Sequence, residues 1–294
     1  MYSWIGRLTK DERRLQGIGR WLRFIPRWLL LTVCFLASWL MFLGAANFRK
    51  SVTRNMTQLL DVPLPRIHRY CRSYFQHILI TLYEIVADSY DLRRNASNRF
   101  ELDGESHLED VLNRGKGAIL FAPHSGNFFC YYGYLSQKYP CLTVATAGSK
   151  ELRPLYLMFQ RLGCEGLDYD HTPPLTIIRK LRRHLKENGV VFLLGDFYRQ
   201  AFPIANFFNR ETRSPNGTAA LALEQGVPVI PFHGYRIRGF RHRLVFGSPI
   251  YLHEQFQVGQ RIEATNELNK VLERHVVAVP DQWFYWFNVD ERWG

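Results

Sequence analysis

Two stretches constrain the fold of this chain more than any others: GAILFAPH at 117–124 and VVFLLGD at 190–196. Each is an unbroken apolar run that opens on or just after a glycine and stops at a polar residue, His124 in the first and Asp196 in the second. A strand with one wet face alternates polar and apolar positions, so an unbroken run predicts a strand covered on both faces. Strands of that kind belong to parallel sheets flanked by helices, and the rest of the chain supplies the helices. RPLYLMFQRLG (153–163), PPLTIIRKLRRHLKENG (173–189), TAALALEQG (218–226) and the segment from Arg261 to Pro280 all space their apolar residues at helical intervals. LTVATA (142–147), VPVIPFHGYR (227–236) and RLVFGSPIYL (243–252) read as further strands. Ahead of them RFEL (99–102) reads as a short strand, and SHLEDVLNRG (106–115) as a helix with a serine cap, a glutamate three residues on and a closing glycine. The expectation is α/β: a single layered domain over 99–294 with a mostly parallel central sheet and flanking helices.

In front of that domain lies WLLLTVCFLASWLMFLGAANF (28–48), which carries no charge. Its length is close to the ~20 residues that a helix needs to cross a bilayer core. Apolar residues fall on every side, which predicts a membrane-anchor helix rather than a surface helix. The LGAA at 43–46 keeps a cleaved signal peptide open as the alternative. The flanks are basic: Arg7, Lys10, Arg13, Arg14, Arg20, Arg23 and Arg27 before the run, Arg49, Lys50 and Arg54 after it. With a formal charge of +12, this distribution points to an anionic membrane as a partner. No zinc spacing or RNA-binding motif supports nucleic acid. The chain therefore divides into a basic leader (1–27), the anchor (28–48), a helical connecting segment (49–98) and the α/β domain. Five cysteines at 34, 71, 130, 141 and 164 show no pairing or metal pattern and read as reduced thiols of a cytoplasmic domain.

In open α/β sheets ligands bind off the carboxyl ends of the strands. His124, followed by Ser125, Gly126 and Asn127, stands at one such end and Asp196 at another. A neutral imidazole there can take a proton from a substrate hydroxyl. A glycine lets the backbone approach a ligand, and the amides of a following helix start can stabilise an oxyanion.

The order of blocks resembles that of the lipid A late acyltransferases, within the wider lysophospholipid acyltransferase superfamily. The resemblance rests on the N-terminal apolar segment, H-x-G-N (His124, Gly126, Asn127) after a buried strand, and RPLY…RLG (Arg153 to Gly163). It continues through Phe207-Phe208, the P-x-G-x-A block (Pro215, Gly217, Ala219), VPVIP, and Pro280, Gln282 and Trp283 near the end. It implies a bacterial inner-membrane enzyme, its domain facing the cytoplasm. Such an enzyme transfers an acyl group from a carrier-protein thioester to a hydroxyl of lipid A or its precursor, with no cofactor or metal. It also implies a histidine base paired with an acid five residues on. The histidine is His124, but the acid position holds Phe129. A phenylalanine cannot orient an imidazole or stabilise its cation.

Three readings follow from that departure. The acid comes from elsewhere, with Asp196 first and Glu105 or Glu101 behind it; or an aminoacyl group such as glycyl, delivered by its own carrier protein, replaces the fatty acyl group. The third reading is an inactive membrane-bound scaffold or lipid-binding protein. Aromatic residues at 128, 129, 131, 132 and 134 would suit a shortened donor pocket. Arg153, Arg161, Arg210 and Arg213 are candidates for phosphate or carrier contacts, and Asn216 and Gly217 for the substrate-facing turn. The family's basic tail is replaced by FNVDERW (287–293), which predicts altered recognition of an anionic lipid or carrier there.

Overall fold

The computed structural model describes residues 17, 21–22, 25–88, 98–146, 153–161 and 163–293. Most of the leader, with all of its basic residues named above except Arg27, lies outside the described residues.

The two apolar runs become neighbouring strands, β2 (Ala118–Ala122) and β5 (Val190–Leu194), paired in parallel with Ala118 opposite Val190 and Ala122 opposite Leu194. Successive β2 side chains enter different cores: Ile119 and Phe121 one, Ala118, Leu120 and Ala122 the other. A strand with two buried faces leaves no position for a polar residue, which is why the run is unbroken. Each buried Ile, Leu or Phe here contributes about 1.5–3 kcal/mol.

Around this pair stand β1 (Phe100–Asp103), β3 (Cys141–Ala145), β4 (Gly166–Asp168), β8 (Val229–Arg238) and β9 (Arg241–Phe246), in the sheet order β1-β9-β8-β2-β5-β3-β4. All pairs are parallel except β8 with β9. The sheet is mostly parallel and helix-flanked, as the sequence predicts. A separate antiparallel hairpin of β6 (Ile204–Phe207) and β7 (Arg210–Arg213) turns through Phe208 and Asn209, both with positive φ, at 53° and 56°. No turn signal predicts it, because phenylalanine seldom adopts that conformation; here its amide is held by Glu273 Oε1 at 2.7 Å. The strand expected over 243–252 stops at Phe246. Gly247 and Pro249 break the ladder, Ile250 makes an isolated bridge to Val229, and Leu252–Gln255 is a short helical turn.

The apolar run at 28–48 divides. Helix α1 (Arg27–Gly44) is long and apolar enough to cross a membrane, about 27 Å at 1.5 Å per residue. It ends in a bend at Ala45, and the last residues of the run open α2 (Ala46–Leu59). Phe48 there packs on Tyr74, Phe75 and Phe287. Beside α1 runs α3 (Leu64–Tyr83), whose Arg72 guanidinium lies 3.8 Å from the Trp39 ring centre. On the other side of α1, Leu29, Val33, Leu36, Leu40 and Leu43 form an exposed apolar stripe. The segment expected as a connector is thus part of the body: Val52, Met56, Ile67, Cys71, Tyr74 and Phe75 join the main core. No disulfide joins the cysteines, all of which lie among the described residues, and Cys71, Cys130, Cys141 and Cys164 are buried.

Candidate active site

Because Ala122 and Leu194 are register partners, the residues two positions beyond each strand come out side by side at the carboxyl edge of the sheet. Those residues are His124 and Asp196. Between them Gly195 donates its amide to the Ala122 carbonyl at 3.0 Å. A side chain at Gly195 would meet the Phe121 ring at 2.1 Å, so this buried ring could not keep its place beside any other residue.

His124 Nδ1 lies 2.5 Å from Asp196 Oδ1, and the His124 amide donates to Asp196 Oδ2 at 2.8 Å. Trp283 Nε1 donates to the same Oδ2 at 2.6 Å. Asp196 is 1% exposed. Burial pushes its carboxyl pKa up, but the charge and hydrogen bonds of His124 and the Trp283 indole outweigh burial and leave it below the ordinary range. An ionised carboxylate can only accept, so Nδ1 carries a proton toward it and Nε2 is the nitrogen left for a substrate. The imidazole is held edgewise against Phe128 and Tyr285, each 4.9 Å between ring centres.

The chain end closes over this pair. Phe284 N donates to the His124 carbonyl at 2.8 Å, and Gly126 N to the Gln282 carbonyl at 3.0 Å. Trp283 and Trp286 are fully buried, and Arg292 donates to the Asp196 carbonyl at 2.5 Å. The FNVDERW segment faces inward at Phe287, Val289 and Arg292.

The HSGN turn has a buried foundation of its own. Gly126 has φ 61°, and a Cβ there would meet Tyr131 OH at 2.3 Å and the Gly234 carbonyl at 2.6 Å. Asn127 caps helix α5 (Phe128–Lys138): its Oδ1 accepts the Cys130 amide at 3.2 Å, while Nδ2 donates to Glu84 Oε2 at 3.0 Å. Glu84 stands at the start of a π-helical turn (Glu84–Asp88) after α3 and is fully buried. It also accepts from Arg236 at 2.7 Å and bonds His242 at 2.8 Å, and it pairs with Arg99 at 3.4 Å. Burial opposes its charge, yet His242 and Arg236 hold its carboxyl well below the usual range. Sequence reasoning missed Glu84; its signal was one acid inside the apolar ITLYEIV run.

Other expected residues fall elsewhere. Ser125 is buried and directs its hydroxyl to the Gln282 carbonyl at 3.3 Å, so it fastens the chain end rather than facing a substrate. Glu105 bonds Lys138 and Tyr139. Strand β1 runs antiparallel to β2, so its carboxyl end, and Glu105 after it, lie at the opposite edge of the sheet from His124. Glu105 is thereby corrected as a partner of the imidazole. Glu101 is paired with Arg241 and Arg243 on β9. Arg210 stacks over Trp293 at 4.3 Å, and Arg213 donates to the Phe202 carbonyl at 2.8 Å. Both arginines are engaged by the hairpin and chain end. Asn216 precedes helix α8 (Gly217–Gln225) without a side-chain cap, and Gly217 opens it with free space around it. The side chains of Arg153 and Arg161, on helix α6 (Arg153–Arg161), lie outside the described residues. Phe129 turns from the imidazole's polar side to stack on Phe128 and pack against Phe159.

This sheet-edge arrangement, with an imidazole, a buried acid and the H-x-G-N turn, agrees with sequence comparison over nearly the whole chain. Residues 15–293 match the family described as bacterial lipid A biosynthesis acyltransferase. The chain belongs to that family. Among curated relatives, a phosphatidylinositol mannoside acyltransferase of Mycobacterium tuberculosis (strain ATCC 25618 / H37Rv) is 30% identical over 193 residues, covering 62% of this chain and 57% of that protein. One of Mycolicibacterium smegmatis (strain ATCC 700084 / mc(2)155) is 36% identical over 138 residues, covering 43% of each. The matched region thus spans only about half the length of these relatives, 57% of the first and 43% of the second. Among solved structures, the 1-acyl-sn-glycerophosphate acyltransferase of Thermotoga maritima shows a loose likeness, with TM-score 0.40 and 15% identity over 85% of this chain and 96% of that one.

Proposed function

We propose that this member of the lipid A acyltransferase family works at a membrane. It moves an acyl group from a carrier-protein thioester to a hydroxyl of lipid A or of a related anionic glycolipid. The observation that carries the reading is the contact between His124 Nδ1 and Asp196 Oδ1, which supplies the acid that Phe129 cannot. In this reading Asp196 holds the Nδ1–H tautomer and His124 Nε2 takes the proton of the acceptor hydroxyl. The resulting alkoxide oxygen attacks the thioester carbonyl. The tetrahedral oxyanion then collapses, the C–S bond breaks, and the thiolate leaves with the proton returned from Nε2.

In this reading the oxyanion is received by the amides of Phe128 and Phe129, in the first turn of α5, for which no acceptor is found among the described residues. The basic flanks and the apolar stripe of α1 supply the membrane contact, at the bacterial inner membrane with the domain on the cytoplasmic side. That the mycobacterial relatives are phosphatidylinositol mannoside acyltransferases supports a glycolipid acceptor and acyl transfer over aminoacyl transfer.

The test is to incubate purified protein with an acyl-carrier-protein thioester and, separately, a lipid A precursor or phosphatidylinositol mannoside, and to weigh the products. An added fatty-acyl mass on either glycolipid supports the reading and names the acceptor. A mass added only from a glycyl-carrier thioester, or no mass from any donor, overturns it.

A further inference from the structure

We propose that Arg292 is a positioning residue for the His124–Asp196 pair: its buried cation offsets the carboxylate's charge, so that the imidazole stays neutral and able to accept a proton. The proposal rests on the reading of that pair given above.

Arg292 is 7% exposed. One nitrogen, Nη2, donates to the Asp196 backbone carbonyl at 2.5 Å, and the guanidinium lies 4.5 Å from the Phe207 ring centre. Its own carbonyl is held by Thr212 Oγ1 at 3.1 Å, which ties the chain end to the β6–β7 hairpin. Nη1 is buried without a partner. Among the described residues no carboxylate forms an ion pair with it. The neighbouring acids are turned away: Asp290 to Arg54 and Asn55, Glu291 to Asn288. Its contact with Asp196 is through that main-chain carbonyl, and the negative charges that act on it are those of Asp196, Tyr285 and Tyr198. Burial lowers its pKa, against the pull of Asp196, to about 10, so it remains a cation at neutral pH.

A guanidinium in such a place is expensive to bury, and packing alone would favour an uncharged residue. What the charge supplies is balance. A carboxylate taken out of water and bonded to an imidazole draws a proton onto the ring, and an imidazolium cannot act as a base. A second cation against the same aspartate weakens that pull. The two charges then cancel across the buried residue, and the histidine is left neutral with its Nδ1 proton toward Oδ1. The indole of Trp283 fixes the other oxygen, so the carboxylate cannot rotate away.

The test needs no substrate. The full chain is prepared in detergent micelles with 13C-labelled histidine, the His124 Cε1–H signal is assigned with His124→Gln, and its pH titration is followed by NMR. Arg292→Met removes the charge. Arg292→Gln removes the charge but keeps a donor for the Asp196 carbonyl, which guards against loss of the fold, and Arg292→Lys keeps the charge. The expected result is that both uncharged variants move the titration midpoint up by on the order of one pH unit, while Arg292→Lys stays close to the parent. Folded uncharged variants that titrate like the parent, or Arg292→Lys moving with them, overturn the proposal. Asp196→Asn is the control for the underlying reading: it lowers the midpoint if the aspartate holds the ring. If it does not, the pairing itself fails; if it does and Arg292→Gln has no effect, only the role of Arg292 fails.

Discussion

Replacing Asp196 with asparagine tests the chemistry at the point where geometry says most. Oδ2 accepts two donors, the His124 amide at 2.8 Å and Trp283 Nε1 at 2.6 Å, while Oδ1 faces His124 Nδ1. An asparagine has one acceptor oxygen, and the two donors claim it. Its NH2 group is then turned to the imidazole, which forces Nδ1 to accept and moves the ring proton to Nε2. The ring keeps its place but presents a proton where the acceptor hydroxyl needs a lone pair. In Ser–His–Asp sites a change of tautomer of this kind lowers kcat by about 10⁴-fold, or roughly 5 kcal/mol of transition-state stabilisation. The assay is acyl transfer followed by product mass, with melting temperature measured in parallel because the substitution is nearly isosteric. A folded Asp196→Asn protein that retains more than about a tenth of the parental kcat refutes the reasoning, since no tautomer switch of this cost would then have occurred.

Further outcomes follow from the same structure. Glu84→Ala strips the acceptor from Arg236, His242 and Asn127 and leaves buried cations unpaired, an expected loss of about 3–5 kcal/mol read as a fall in the denaturation midpoint; a change below about 1 kcal/mol contradicts the network's role. Gly126→Ala must displace Tyr131 or the Gly234 backbone and adopt φ 61°, so the protein is expected to melt earlier and to lose transfer activity; an unchanged variant would show that the turn is loosely held. Glu105→Ala, at the far edge of the sheet, should leave kcat within about twofold, and a larger loss would reinstate it as the acid. His77 is 8% exposed, and burial first, then the Arg236 charge, lowers its pKa to about 3. Unfolding lets it bind a proton at its ordinary value of about 6.5, so its contribution is present above that pH and is lost as pH falls toward 3. The melting temperature of the parent should accordingly fall below about pH 6.5 more steeply than that of His77→Gln, and parallel curves would refute this.

How much of this was legible beforehand depended on whether a signal was local. The unbroken runs ending at His124 and Asp196 identified two strands buried on both faces, because burial alone dictates that pattern. That the strands are adjacent and in register, bringing the two residues together, is a long-range pairing with no mark in either run. The same limit applied to Glu105, which looks near His124 along the chain but follows a strand of opposite direction. Glu84 was hidden for a different reason: its partners Arg236 and His242 come from the β8–β9 hairpin, and only tertiary packing makes a lone acid in an apolar helix sustainable. The run at 28–48 read as one anchor because composition does not record the bend at Ala45, nor that Phe48 packs inward. The burial of Arg292 in the tail at 287–293 was equally hidden, since charge in a sequence suggests solvent and only tertiary packing encloses it.

The central claim is that His124, held by Asp196, is the base of an acyl transfer to a membrane glycolipid. The most direct measurement is the mass of that glycolipid after a single turnover with acyl-carrier-protein thioester, comparing the parent with His124→Ala. The account predicts one added acyl mass with the parent and unmodified glycolipid with the variant, the thioester remaining intact. An equal yield of acylated product from folded His124→Ala would contradict it.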